Sequence, residues 1–475
     1  MRKAFVTAAG IFGAAFCWLM SFKVLALWVG PEGVGLFAQL RQIIQTATIG
    51  ATFGGTNLVV QGLAARDNKA ARLVFRQEAF RLTCVAGITL GALMVLLAPQ
   101  IALLTLSTND PELVLIIRWL ALAVIINVAA TYLMAVLNGY RAFGYLALAQ
   151  VLSPLVMTLI LFAGWLGGKV SASSIVTIGF LAGFGVSMLV GFLGVERLSR
   201  DNHQIAANVD QHEIRKERRE LLHFAISSLV AALSSVVTLL IIRAWIIEAQ
   251  GLIFVGLFEV GWTLTFNYMT LFLTACNIIY LPTLSAAKDP AAQRACILKM
   301  AYLVLSGSLI VGCGLTIWPL SVISLLYSPD FFAAREVLVV LVVAIIVRGV
   351  SWVYGTLMVA TRSSRAIVLS ELMLNLLLLM GTKLVLHNRG SLADLGWAIV
   401  LPHLFYLVFV IEFVRNRNPL LRRRYVWPLV FLGIAPLIWS ILVAGTSARS
   451  LLWPSMLAIM LTTMGCVLVY RRLAL

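Results

Sequence analysis

Gly30-Pro31-Glu32-Gly33-Val34-Gly35-Leu36-Phe37 is the stretch on which the reading of the fold turns. Glycine supplies the backbone freedom for a sharp reversal, and proline cannot continue the preceding helix. An apolar segment carrying Lys23 runs into this turn, and a second segment carrying Arg41 and Gln42 runs out. Beyond the turn, Arg41, Gln45, Thr48, Thr52 and Thr56 recur at steps of three and four, which on a helix is one polar face. That face is about 22 Å long at 1.5 Å per residue, most of a hydrocarbon core. Unpaired polar groups in hydrocarbon cost several kcal/mol, so the stripe is expected to face other helices or water rather than lipid.

The composition puts the turn in a membrane. Of 475 residues, 61% are hydrophobic and 12% charged, half the charge of an ordinary soluble domain. The net charge of +17 would suggest nucleic acid in a soluble chain; here it has to be divided between loops and spans. Cys17, Cys84, Cys276, Cys296, Cys313 and Cys466 contain no C-x-x-C pair, so no disulfide framework, metal site or cofactor is expected. The N-terminal apolar run continues to about Val29, too long for the core of a cleaved signal, and is read as a mature spanning helix.

Spans are predicted near 4–29, 37–63, 79–105, 113–137, 145–167, 172–195, 222–247, 252–280, 297–326, 333–359, 364–386 and 392–414. Two more follow near 426–444 and 450–470. Loops on the side of the termini hold nearly all the loop Lys and Arg, while the other side holds only Lys169, Arg335, Arg389 and Arg449. The positive-inside rule therefore predicts cytoplasmic termini.

Six cations remain within spans: Lys23, Arg41, Arg118, Arg243, Arg348 and Lys383. Only Glu259 and Glu371 are acidic at such depth. Ionisable groups inside spans are costly and normally face a cavity or a partner, so the surplus of positive charge asks for an anionic ligand.

The chain also repeats itself. Val34-Gly35-Leu36-Phe37 returns as Val255-Gly256-Leu257-Phe258, and Ala64-Ala65-Arg66-Asp67 as Ala286-Ala287-Lys288-Asp289. A second polar stripe follows the second copy, at Glu259, Thr263, Asn267, Thr270, Thr274 and Asn277. The expected fold is all-α and polytopic, about 14 transmembrane helices, with two parallel-repeat six-helix lobes around a central cavity and a C-terminal helix pair. The expected segments are 1–196, a cytoplasmic linker at 197–221, 222–415, and the extra pair at 416–475.

Gly30-Pro31-Glu32-Gly33-Val34-Gly35 followed by Arg41-Gln42, with Leu281-Pro282-Thr283-Leu284-Ser285 closing the matching hairpin, resembles the Wzx-type polysaccharide flippases. The likeness is to their O-antigen and enterobacterial common antigen branch, within the multidrug/oligosaccharidyl-lipid/polysaccharide (MOP) exporter superfamily. The resemblance implies a transporter of the bacterial inner membrane that moves undecaprenyl-diphosphate-linked oligosaccharide from the cytoplasmic to the periplasmic leaflet by alternating access. It implies a polysaccharide polymerase and a chain-length regulator as partners, and no nucleic acid. Arginine forks and a mobile lysine charge both suit phosphate oxygens, so Lys23, Arg41, Gln45, Arg118, Arg243, Arg348 and Lys383 are the candidate substrate-binding residues. Glu259 and Glu371 are the candidate ion-coupling carboxylates.

Other readings stay open from sequence. Arg243 and Glu259 could form a structural ion pair, Glu371 could pair with Arg365, and Arg118 and Lys383 could snorkel to the outer interface. Trp262, Tyr268, Trp352 and Tyr354 could stack on sugar rings or join an interfacial belt, and His403 could pack or relay protons. A lipid II flippase, or a drug/cation antiporter of the same superfamily, would share the fold; the antiporter calls for an acidic cavity. No P-loop, catalytic triad or placed carboxylate pair is present, which argues against an enzyme.

Overall fold

The computed structural model describes residues 2–54, 56–64, 69–168, 171–200, 211–287, 289–361 and 363–417. The predicted spans at 426–444 and 450–470, and residues 201–210 of the predicted linker, lie outside these. The described chain is helical, and eleven of its helices are long and apolar enough to cross a membrane. The first such stretch, Ala9–Ala51, has 43 residues, about 65 Å at 1.5 Å per residue and twice a hydrocarbon core. It does not run straight. Helix α1 (Arg2–Ala51) breaks at Gly30, whose φ of 61° and ψ of −160° lie where only glycine sits without strain, and Pro31 follows it. Each arm is long and apolar enough to cross once, which brings the candidate crossings to the twelve predicted up to residue 414.

The repeat is visible in the backbone. Gly251, which stands at the Gly30 position of the second copy, also has a positive φ, of 87°. Two spans predicted as single helices are each broken at matching prolines. Lys69–Leu96 (α3, after the short α2, Asn57–Ala64) gives way to Ala98–Leu106 (α4), and Pro290–Ile317 (α11) to Pro319–Leu326 (α12). Pro99 and Pro319 lack the N–H that would continue the helix and clash with the carbonyl one turn back. Helices α3 and α11 also start well before their apolar runs, because charged turns outside a bilayer remain helical. Hydrophobicity locates the membrane, not the helix end.

The chain packs as two compact units, 1–256 and 257–475. The first holds α1 to α4, α5 (Pro111–Gly139), α6 (Phe143–Gly167), α7 (Ala172–Arg200) and α8 (Gln211–Gln250). It therefore includes α8, the helix that opens the second sequence copy and packs on α1 and α4. Ser21 of α1 hydrogen-bonds Thr158 of α6 at 2.7 Å, and Phe37 stacks on Phe180 of α7 at 5.3 Å. A separate cluster of Val59, Leu63, Phe75, Ala79, Tyr132, Ala135 and Val136 joins α2, α3 and α5. The turn ahead of helix α9 (Leu252–Trp262) meets the α1 turn by backbone contact. A Cβ on Gly35 would lie 2.2 Å from the Leu252 carbonyl oxygen, and one on Gly256 would lie 1.9 Å from that of Pro31. The contact is reciprocal between the two copies and closed to any side chain.

The second unit holds the rest of α9, a π-turn at Thr263–Asn267, α10 (Tyr268–Ala286), α11 and α12. A 3₁₀ turn at Pro329–Ala334, then α13 (Arg335–Ala360), α14 (Ser364–His387) and α15 (Leu392–Arg417), complete it. Helix α13 is its core: from Val337 to Met358 every residue is buried except Arg348, Trp352 and Gly355.

Candidate functional site

The two arms of α1 lie antiparallel, which their side chains establish. Phe22 meets Phe37 edge-on at 5.3 Å, Trp18 approaches Phe37 at 6.3 Å, and the Arg41 guanidinium carbon lies 5.5 Å from the Trp18 ring and 5.6 Å from that of Phe22. The pairs 18/41 and 22/37 share one midpoint, between Val29 and Gly30. Trp18 and Phe22, one helical turn apart on the first arm, thus bracket the one arginine of the second. The two rings hold the guanidinium by cation–π contact.

The exposed face of that second arm is polar. Between Pro31 and Ala51 only Glu32 and Gln45 are exposed, Arg41 is half-buried, and no large apolar side chain is exposed. Spanning helices that face lipid look different. On α5, Leu115, Trp119 and Leu122 are exposed together, and on α14 Leu369, Leu372, Leu376, Met380 and Leu384. A spanning helix whose only open positions are polar fits a water-filled space. The predicted stripe is shorter than its sequence spacing. The helix stops at Ala51, Phe53 and Gly54 take positive φ, and Thr56 falls beyond the break. Thr48 and Thr52 are buried, Thr48 accepting from Asn127 of α5 at 2.9 Å, so the lower stripe is packing and the Arg41–Gln45 turn is open.

Arg243 is elsewhere. It is 1% exposed and donates to Gln42 Oε1 at 2.8 Å and to the Ala38 carbonyl at 3.4 Å. Gln42 in turn donates to the Val236 carbonyl at 2.8 Å, and Gln39 to the Thr105 carbonyl at 2.8 Å. These buried groups tie α1 to α8 and α4 on a face of α1 different from that of Arg41. Arg118 and Lys383 are exposed on the outward apolar strips of α5 and α14, beside Trp119 and Leu384. That is the setting of a side chain reaching for headgroups. Lys23 is half-buried, at helical spacing from exposed Phe16 and Leu27.

In the second unit, Glu259 is fully buried and accepts from Thr263 at 3.0 Å, which accepts from Asn267 at 3.1 Å. The π-turn widens the helix here, and below it Thr270 and Thr274 are exposed. One predicted stripe therefore becomes a buried hydrogen-bonded part and an open part. Such π-turns concentrate at functional sites. Trp262 stacks on Phe266 at 4.3 Å, Trp352 tilts against Tyr280 at 5.8 Å, and Tyr354 is buried. Glu371 lies 3.9 Å from Arg348 and accepts from the Tyr406 hydroxyl at 3.2 Å. The Arg348 guanidinium carbon sits 5.4 Å from the Tyr406 ring. His403 is buried, its Nδ1 2.8 Å from the Ile399 carbonyl oxygen and its ring against Phe266 at 5.3 Å.

The model of the family described as polysaccharide biosynthesis protein matches residues 1–288, which contain the α1 hairpin and its second copy. The chain belongs to that family. Among solved structures, the chain is similar to the lipid II flippase MurJ in an inward closed conformation. The TM-score is 0.68 at 13% identity, covering 99% of this chain and 100% of that one. It is similar to an outward-facing multidrug resistance MATE family transporter of the MOP superfamily, with TM-score 0.61, 16% identity and 89% and 96% coverage. A third likeness is to a MOP superfamily transporter from Pyrococcus furiosus, described as having a binding pocket of reverse polarity that suggests a different function. Its TM-score is 0.63, at 16% identity over 88% of this chain and 95% of that one. No curated protein matches by sequence. At these identities the likenesses show the fold alone, one shared with these transporters.

The chain thus puts its predicted site residues in different settings: Arg41 and Gln45 on a polar face, Arg243 in a buried tie, Arg118 and Lys383 on outward strips, and Arg348 beside a carboxylate. Trp18, Phe22, Gln39 and Tyr406 were not singled out from sequence. Trp18 and Phe22 mirror Arg41 and Phe37 about a point between Val29 and Gly30, a spacing that a hairpin reading could have used. Tyr406 carries no such signal, being 58 residues from Arg348 in the chain.

Proposed function

We propose that this chain moves an undecaprenyl-diphosphate-linked oligosaccharide from the cytoplasmic to the periplasmic leaflet of the bacterial inner membrane, for polysaccharide synthesis of the O-antigen or enterobacterial common antigen kind. The observation that carries the reading is the second α1 arm, a spanning segment that exposes Glu32 and Gln45 and no large apolar side chain, with half-buried Arg41 one turn from Gln45. A diphosphate carries roughly two negative charges and has to leave bulk water to cross, which needs compensating donors within the bilayer. Arg41 meets that need. Its guanidinium is oriented by Trp18 and Phe22 and can give a two-pronged N–H edge to phosphate oxygens. Gln45, one turn along, adds an amide donor, and Lys23 on the facing arm adds a mobile charge. Family membership supports a carbohydrate cargo, and the MOP fold supports movement by alternating exposure to the two leaflets.

The lipid II reading is favoured by the full-length likeness to MurJ and asks for the same diphosphate chemistry. The drug and cation reading calls for an unpaired carboxylate on an open mid-span face; Glu259 is buried, and Glu371 accepts from Tyr406 beside the Arg348 cation. The test is transport in proteoliposomes loaded with a labelled undecaprenyl-diphosphate oligosaccharide, with unlabelled lipid II as competitor. Arg41→Ala and Lys23→Ala, at unchanged expression, should each abolish transport. Full transport by both variants would defeat the proposal, and complete suppression by lipid II would move the cargo to the MurJ class.

A further inference from the structure

Helix α13 is closed along its length except for one line, Arg348, Trp352 and Gly355, spaced as residues on a single helix face. Arg348 is the charged member, and its side chain is 31% exposed. Among the described residues the Arg348 guanidinium makes no hydrogen bond. Its carboxylate neighbour, Glu371 of α14, stops at 3.9 Å, beyond hydrogen-bond reach. What holds Glu371 is the Tyr406 hydroxyl of α15, at 3.2 Å. The same tyrosine presents its ring to the guanidinium at 5.4 Å. Tyr406 therefore supports the cation with its face and draws the anion aside with its hydroxyl. The remaining ionisable group of this neighbourhood, His403, is turned to the Ile399 carbonyl and Phe266. A guanidinium has five N–H donors in a planar fork; here their edge is partly open, and its carboxylate neighbour Glu371 is held off.

We propose that Arg348 is an anion-binding site of the second unit, separate from the Arg41 face, and that it takes a phosphate or diphosphate group with Glu371 as its internal competitor. The ligand oxygens occupy the N–H edge of Arg348, and Glu371 stays on Tyr406. Without ligand, Glu371 is the nearest counter-charge and weakens the site by competing for the same fork. The carboxylate thus sets the threshold for anion entry.

Binding of inorganic pyrophosphate and of farnesyl diphosphate to the detergent-purified full chain tests this, in the wild-type background and with Arg41→Ala. Arg348→Gln should weaken binding about tenfold or more, the loss of a charge-assisted hydrogen-bond pair. Glu371→Gln keeps an oxygen to accept from Tyr406 and removes the competing charge, so it should tighten binding about fivefold. Tyr406→Phe frees Glu371 to close on Arg348 and should weaken binding severalfold, with Glu371→Gln cancelling that loss. All three effects should persist with Arg41→Ala, which separates this site from the one proposed on α1. Response to pyrophosphate and farnesyl diphosphate alike marks a phosphate site, whereas response to farnesyl diphosphate alone marks a lipid headgroup site; either supports the proposal. It is overturned if a folded Arg348→Gln variant binds both probes as the wild type does. It is also overturned if Glu371→Gln leaves affinity unchanged, or if neither probe binds the wild type.

Discussion

Trp18 offers the sharpest test of how the α1 hairpin works. Its ring centroid is 5.5 Å from the Arg41 guanidinium carbon and Phe22 is at 5.6 Å on the same arm, both inside the roughly 6 Å range of cation–π attraction. At a half-buried site each contact contributes about 0.5–1 kcal/mol, tryptophan the more. Trp18→Leu removes the larger share and should weaken lipid-diphosphate binding about fivefold, since 1.4 kcal/mol is about tenfold. Trp18→Leu with Phe22→Leu should reach about tenfold. Trp18 also touches Phe37 at 6.3 Å, so some loss of stability is expected whatever its role. The decisive measurement is therefore a double-mutant cycle in detergent, with binding of a fluorescent lipid diphosphate as the readout and thermal stability followed in parallel. If Trp18 acts by orienting Arg41, Trp18→Leu adds little in an Arg41→Ala background, and Trp18→Phe restores most of the affinity. Equal loss of affinity in both backgrounds would refute the bracket, leaving Trp18 as a packing residue.

Other expectations follow from single contacts. Gly256→Ala places a Cβ 1.9 Å from the Pro31 carbonyl oxygen and should cost about 1–3 kcal/mol, read as a lowered Tm; Gly144→Ala, with nothing within 4 Å, is the neutral control. Tyr132→Phe removes a 2.7 Å hydrogen bond to the Arg76 carbonyl and should destabilise by about 1 kcal/mol without changing ligand affinity. Arg118→Leu extends an apolar strip already made by Leu115 and Trp119, so transport in proteoliposomes should stay near wild type; a transport null at normal expression would put Arg118 back in the binding site.

Much of this architecture was legible in the chain. Apolar runs separated by turns located the twelve crossings up to residue 414, and Gly30-Pro31 marked the reversal that a 43-residue helical stretch requires. Breaks at Pro99 and Pro319 could have been read from proline's missing donor, but the unbroken apolar runs around them hid the break. The π-turn at Thr263–Asn267 left no mark in the spacing, because residues three and four apart continue straight through it.

By itself, the sequence determined that positive charge exceeds negative charge inside the spans, and which residues share a helix face. Periodicity is a property of one helix and says nothing of what covers that face. Only the tertiary structure decided that Arg243 is sealed against Gln42, that Arg118 and Lys383 lie on outward strips, and that Arg41 sits between two rings at an open polar face. Burial depends on neighbours distant in the chain, so the same residue type is sealed in a tie, left on an apolar strip or held at a polar face according to what packs beside it.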